Sequence, residues 1–128
     1  MPHLIIEYSA NVAEHHDIQN LVSTSHQAAI DHGLPPVEGL RTRAVSRDNY
    51  LVANGNPDYA FIALHVRIGP GRSDQEKTTF ITQVLDAAQA QIVSETGPLA
   101  ISWSIELNEI NPATRINRNE VRAHMHAT

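Results

Sequence analysis

Cysteine is absent from the 128 residues, so neither a disulfide framework nor thiolate chemistry is available, and the redox compartment is left open. An excess of basic charge is also missing. The formal net charge is −5, which argues against a general nucleic-acid binder, because phosphate contacts need a basic face. No apolar run approaches the roughly 20 residues of a membrane span, and no N-terminal basic segment leads into an apolar one. These absences make a soluble, cytoplasmic protein the expectation, with neither nucleic acid nor membrane among its partners.

The arginines that are present are clustered. Arg41, Arg43 and Arg47 fall together, Arg67 and Arg72 follow, and Arg115, Arg118 and Arg122 close the chain. Local positive pockets in an acidic protein suit a small anionic ligand. The eight histidines do not form a metal pattern: His15 and His16 are adjacent on a helical stretch, and His26 lies ten residues further on. Neighbours on a helix diverge by about 100°, unlike the i, i+4 pair of a helical zinc site. No metal is expected, and solvated helix positions account for these side chains.

A chain of this length suits one domain and buries about two-thirds of its unfolded surface, which is enough without staples. His3 to Tyr8 is an apolar, β-branched run that predicts a buried strand. After a turn at Ser9 to Asn11, Ile18, Leu21, Val22, Ala28 and Ala29 recur at helical spacing as far as His32. Gly33 then supplies a natural C-terminal cap, and Pro35-Pro36 prevents continuation. Gly39 to Val45 alternates, with arginines on one side and apolar residues on the other.

The second half repeats this order after the turn Asn54-Gly55-Asn56-Pro57. Ala60 to Ile68 places Phe61, Ala63 and His65 on one face and Ile62, Leu64, Val66 and Ile68 on the other. Gly69-Pro70-Gly71 ends that strand, and Ser73-Asp74-Gln75-Glu76 reads as a capping box. Phe80, Ile81, Val84, Leu85, Ala88 and Ile92 give the following helix an apolar stripe until Gly97-Pro98. Leu99 to Leu107 alternates as a half-buried strand containing Trp103.

The fold class is therefore α+β: two fused β-α-β units, about 2–53 and 58–111, share a four-stranded sheet with both helices on one face. They form a single domain over 1–128, with a polar tail over 112–128 and a short helix near Asn119 to Met125. The uncovered sheet face, through the Trp103 strand and the apolar third strand, is expected to meet other subunits.

Pro2 opens the first strand. Proline at this position usually only begins a strand, where its missing N–H does no harm. If Met1 is removed, however, Pro2 becomes a free secondary amine whose ring fixes its direction, and such an amine can carry a proton.

Four motifs occur in order: Pro2 at the start; Gly39-Leu40-Arg41-Thr42-Arg43; Asp58-Tyr59-Ala60-Phe61; and Gly69-Pro70-Gly71-Arg72-Ser73-Asp74-Gln75-Glu76-Lys77. Together with Ile105 to Pro112 and Asn119 to His124, they make nearly the whole chain resemble the 5-carboxymethyl-2-hydroxymuconate isomerase family of the tautomerase superfamily. The resemblance implies a homotrimer of fused β-α-β subunits, with active sites near subunit boundaries and no cofactor. It also implies an isomerase acting on a carboxylate-bearing dienol in aromatic catabolism, along the homoprotocatechuate route.

The family's site residues carry over as Pro2, the acid/base, Arg72, which binds a substrate carboxylate, and Arg41, which either binds a second carboxylate or steadies the charge developing on the 2-oxygen. Only the first unit begins with proline; the matching position of the second lies near Phe61 or Ile62, so one base per subunit is expected. Arg43, on the face of Arg41, and the Ser73 and Asp74 amides at the helix start can assist in binding. Burial and nearby guanidinium groups would favour the neutral amine. His3 points away from the base and is left out, while Tyr8 and Phe61 are candidate pocket walls, with core packing favoured for Phe61.

Outside any family pattern, Arg72 would more often form a surface ion pair with Glu76. Two rival readings remain. One is another superfamily enzyme, a phenylpyruvate-type tautomerase, a decarboxylase or a hydratase, with Glu7 or Glu106 activating water. The other is a non-catalytic trimeric carboxylate-binding protein, which a retained Met1 would favour.

Overall fold

The computed structural model describes residues 2–127; Met1 and its removal lie outside the described residues. Strand β1 (His3–Ser9) leads through a single turn, α1 (Val12–His15), into α2 (Ile18–His32) and then β2 (Arg41–Arg47). Strand β3 (Tyr59–Ile68), α3 (Asp74–Ser94) and β4 (Ala100–Glu109) repeat the order, and α4 (Glu120–Ala127) ends the chain. The sheet runs β2-β1-β3-β4: each unit's own pair is parallel, and the two units join through the antiparallel β1/β3 pair.

The helix limits follow from local chemistry. The Asp17 side chain accepts from the Asn20 amide at the start of α2, and Gly33 closes it at φ 83°, a conformation that strains any residue with a Cβ. At α3 the Ser73 hydroxyl and the Glu76 carboxylate each accept the other's backbone N–H, so the capping box forms as expected. α1 is an element the sequence pattern did not signal, since four residues are too few to show a period.

Both helices pack on one face of the sheet and against each other. Leu4, Ile6, Ala60, Ile62, Leu64, Val66 and Ile68 are buried beneath them. α2 contributes Leu21, Ser25 and Ala29, and α3 contributes Phe80, Val84, Ala88 and Ile92, each set at four-residue spacing along one stripe. The small residues of α2 allow close approach, and Phe80 fills the end of the layer edge-on to the His32 ring, with centroids 5.2 Å apart.

Strand alternation corrects one expectation about the uncovered face. Trp103 is opposite Ile62 and packs with the core on the helix side, so the open face is not the apolar one. Its residues are His3, Ile5 and Glu7 of β1, Arg41, Arg43, Val45 and Arg47 of β2, Phe61, Ala63, His65 and Arg67 of β3, and Ser102, Ser104 and Glu106 of β4. Phe61, half-buried, lies on this face beside Tyr50 rather than in the core or at a pocket wall, with ring centroids 6.3 Å apart.

The tail folds back on its own chain rather than extending outward. The Asn119 side-chain amide donates to the Glu38 carbonyl at 2.8 Å, which fixes α4 beside the short turn Val37–Gly39 before β2. His16 also differs from its expected solvated role. It follows α1 with an extended backbone, only 3% of its side chain is exposed, and its Nδ1 lies 3.0 Å from the Glu95 carboxylate.

Candidate active site

Pro2 is buried at the N-terminal end of β1, the second strand of the sheet. Its carbonyl accepts the Arg41 backbone N–H at 3.3 Å, so β2 fixes the strand end from one side. From the other side, the end of β3 brings Ile68 and Gly69 alongside. Continuation of α2 past Gly33 is blocked, and the resulting loop places Pro35 and Pro36 above. These residues and Arg72 line a cavity of about 150 Å³.

The wall is apolar apart from one cation. Arg72 donates to the Leu34 carbonyl at 3.1 Å, a bond that ties it to the loop after α2 and leaves its remaining N–H groups for the cavity. Among the described residues it forms no ion pair with Glu76, which is engaged in the capping box instead; Ser73 hydrogen bonds, with a smaller contribution from Arg72, hold the Glu76 carboxyl below the usual range. The geometry can hold an anion against Arg72 with a reacting atom near the Pro2 nitrogen.

The other expected site residues go elsewhere. Ser73 lines a neighbouring groove with His32, Leu34 and Gln75, and its N–H is already donated to Glu76, so it is not an open anion donor. Tyr8, six residues along β1 from Pro2, packs against the core. Arg41 and Arg43 project from the opposite side of the sheet, because β2 alternates and their backbone partners are His3 and Ile5. Arg41 therefore does not enter the cavity of its own chain. Its guanidinium meets His3 Nε2 at 3.1 Å, and that of Arg43 meets His3 Nδ1 at 3.2 Å.

His3 is the residue that the sequence reading set aside, and the signal for it was present: strand pairing puts a residue directly after Pro2 beside the first arginine of β2. In the sheet it is flanked by Arg41 on β2 and Arg67 on β3. Partial burial, Arg41, Arg43 and Arg67, in that order, push its pKa down to about 4.

The other titratable groups of the open face pair with one another. Glu7 accepts from Arg47 at 2.8 Å and contacts His65 at 3.1 Å, and His65 also approaches Glu106 at 3.4 Å. Those hydrogen bonds, first from Arg47 and then from His65, hold the Glu7 carboxyl below its usual range. Neither Glu7 nor Glu106 lines the Pro2 cavity, which contains no carboxylate among its lining residues. Among the described residues, no three metal-ligating side chains converge, and no helix is long and apolar enough to cross a membrane.

The second unit shows why it lacks an equivalent base. β1 and β3 begin 56 residues apart, at His3 and Tyr59, and the caps of α2 and α3, Asp17 and Ser73, are separated by the same 56. The counterpart of Pro2 is thus Asp58, earlier than the expected Phe61 or Ile62, and the counterpart of Arg72 is His16.

A family model described as 5-carboxymethyl-2-hydroxymuconate isomerase matches residues 2–125. The 5-carboxymethyl-2-hydroxymuconate Delta-isomerase of Escherichia coli is 27% identical over 123 residues, covering 96% of this chain and 98% of that protein. A 5-carboxymethyl-2-hydroxymuconate isomerase from Deinococcus radiodurans R1 has a TM-score of 0.85 at 27% identity, over 97% of this chain and 93% of that one. A fused 4-OT that forms a symmetric trimer shares the fold at a TM-score of 0.62 and 14% identity, over 88% of this chain and 91% of that one.

Proposed function

This chain belongs to the 5-carboxymethyl-2-hydroxymuconate isomerase family, and from that membership we propose that it ketonises 5-carboxymethyl-2-hydroxymuconate with Pro2 as the acid/base. The observation that carries this reading is the shared cavity of Pro2 and Arg72, an apolar enclosure with a single cation.

In the proposed reaction Met1 has been removed and the Pro2 nitrogen is a neutral secondary amine. It takes the proton of the 2-hydroxyl; the O–H bond breaks, the 2-oxo group forms, the conjugated electrons shift, and the same proton is returned to carbon. One group serves both transfers, so no cofactor is needed. Burial and the nearby Arg72 guanidinium disfavour the ammonium form, which keeps the amine available as a base. Arg72 holds a substrate carboxylate through charge-assisted hydrogen bonds in a two-pronged arrangement.

Arg41 has a role at this site only through assembly. It lies on the opposite face of its own sheet, so the proposed homotrimer brings Arg41 of one copy to the Pro2 cavity of another. A cavity of about 150 Å³ in one chain is small for a tricarboxylate, which is consistent with a site completed at a boundary between copies. The same proposal places the reaction in aromatic catabolism in the cytoplasm. Within one chain neither Glu7 nor Glu106 lines the Pro2 cavity, so a hydratase reading would need a carboxylate brought there by another copy.

The test is the rate of ketonisation, followed by ultraviolet absorbance, for wild type and Pro2→Ala after intact mass has established the loss of Met1. A loss of two or more decades, roughly 3 kcal/mol of transition-state stabilisation, is expected. A wild type as slow as the variant, with Met1 absent, would remove the proposed activity and favour the carboxylate-binding alternative.

A further inference from the structure

His3 is placed where neighbouring side chains offer its ring only donors. Guanidinium nitrogens are obligate donors, and a neutral imidazole has one acceptor nitrogen and one N–H. Yet both ring nitrogens face arginines, Nε2 facing Arg41 at 3.1 Å and Nδ1 facing Arg43 at 3.2 Å. One contact is therefore a hydrogen bond, and the other sets a donor against a donor. Protonating the ring would leave no acceptor at all.

The charge around the ring is equally uncompensated. Arg67 flanks His3 from β3, Arg41 flanks it from β2, and Arg43 stands one pleat further along β2. Among the described residues no carboxylate forms an ion pair with any of the three; the nearest acid on β1, Glu7, is occupied by Arg47 and His65. Three cations beside one imidazole ring, in a chain of net charge −5, suit the binding of an anion.

We propose that His3 is a positioning residue for substrate capture: it holds one of Arg41 and Arg43 by accepting its N–H, and its own N–H joins the other in binding a substrate carboxylate. The anion resolves the donor–donor contact, because its oxygens accept from the ring and from the freed guanidinium together. Choice of tautomer decides which arginine is held and which is free. This inference rests on the proposed reading of Arg41 as a substrate-binding residue and adds to it the group that orients the arginine. Partial burial and the surrounding arginines keep the ring neutral, as the task requires.

Three readouts test this. In ketonisation kinetics, His3→Leu is expected to raise KM about tenfold, the loss of one hydrogen bond to a charged group, while kcat changes far less. His3→Gln, whose amide offers both an acceptor and a donor, is expected to recover most of that loss; a role in folding alone would not produce this split between KM and kcat. Glutarate serves as a carboxylate probe, and the ring ¹⁵N resonances of His3 are expected to shift toward one tautomer as it saturates. Arg41→Ala should abolish that shift, whereas Arg72→Ala should preserve it.

An unchanged KM in His3→Leu, or ring resonances indifferent to glutarate, overturns the inference. If wild type shows no turnover, the proposed function fails instead, and the glutarate titration still decides whether this corner is a carboxylate receptor.

Discussion

Arg72→Ala probes the candidate site with little disturbance of the core, because the guanidinium lies at the cavity wall and, among the described residues, is tied to the protein by one hydrogen bond, to the Leu34 carbonyl at 3.1 Å. Removing that bond costs about 1 kcal/mol of stability. The loss of substrate binding is larger. Hydrogen bonds between a guanidinium and a carboxylate are each worth about 1.5–3 kcal/mol, and no second cation of the same chain lines the cavity to replace them.

We therefore expect kcat/KM for ketonisation to fall about a hundredfold, roughly 2.7 kcal/mol. The pH profile adds a second signature: without the neighbouring cation the Pro2 ammonium becomes easier to form, so the acid limb of kcat/KM moves to higher pH. Arg72→Lys keeps the charge and loses the planar fork, so it should fall between the two. The assay is the ultraviolet ketonisation rate across pH, with a thermal melt to separate stability from activity. A folded Arg72→Ala protein with wild-type kcat/KM would refute the assignment of Arg72 to the substrate.

Two further outcomes follow from the same geometry. Ser73→Ala removes one half of the capping box and should lower stability by about 1 kcal/mol in denaturant unfolding, with KM unchanged, because the serine lines a different groove from Pro2. Acid should destabilise the fold through two groups on the open face. The folded-state pKa of Glu7 is depressed by Arg47 and His65, so its stabilisation is present above the ordinary carboxylate range and is lost as pH falls through the folded value. His3 titrates near 6.5 when unfolded and at about 4 when folded, so the unfolded chain binds the extra proton between those values and stability drops as pH falls across that window. Thermal melts of wild type and His3→Gln across the window should show this second component missing from the variant.

The sequence by itself determined the elements and their order. The alternation of β3, the four-residue stripe of α3, Gly33 and the Ser73–Glu76 box are local signals, each set by backbone conformation or by hydrogen bonds within a few residues. The motifs around Pro2, Arg41 and Arg72 also named the family, because the identity and order of those residues are properties of the chain. Only the tertiary structure decided which of them share a site.

Arg72 joins Pro2 because the end of β3 lies beside the start of β1, an antiparallel pairing of His3 with Arg67 and of Leu4 with Val66 that no local pattern encodes. Arg41 and Arg43 fall on the other face because a strand sends successive side chains to opposite sides, and the register of β2 on β1 sets them beside His3. A shift of one residue in that register would have exchanged the faces. Ser73 was legible as a cap but not as a residue spent on capping, and His16, expected on a solvated helix, is instead extended and buried against Glu95, 79 positions away. In each case the deciding partner is distant in sequence, and its approach is fixed by packing of the two helices on one shared sheet.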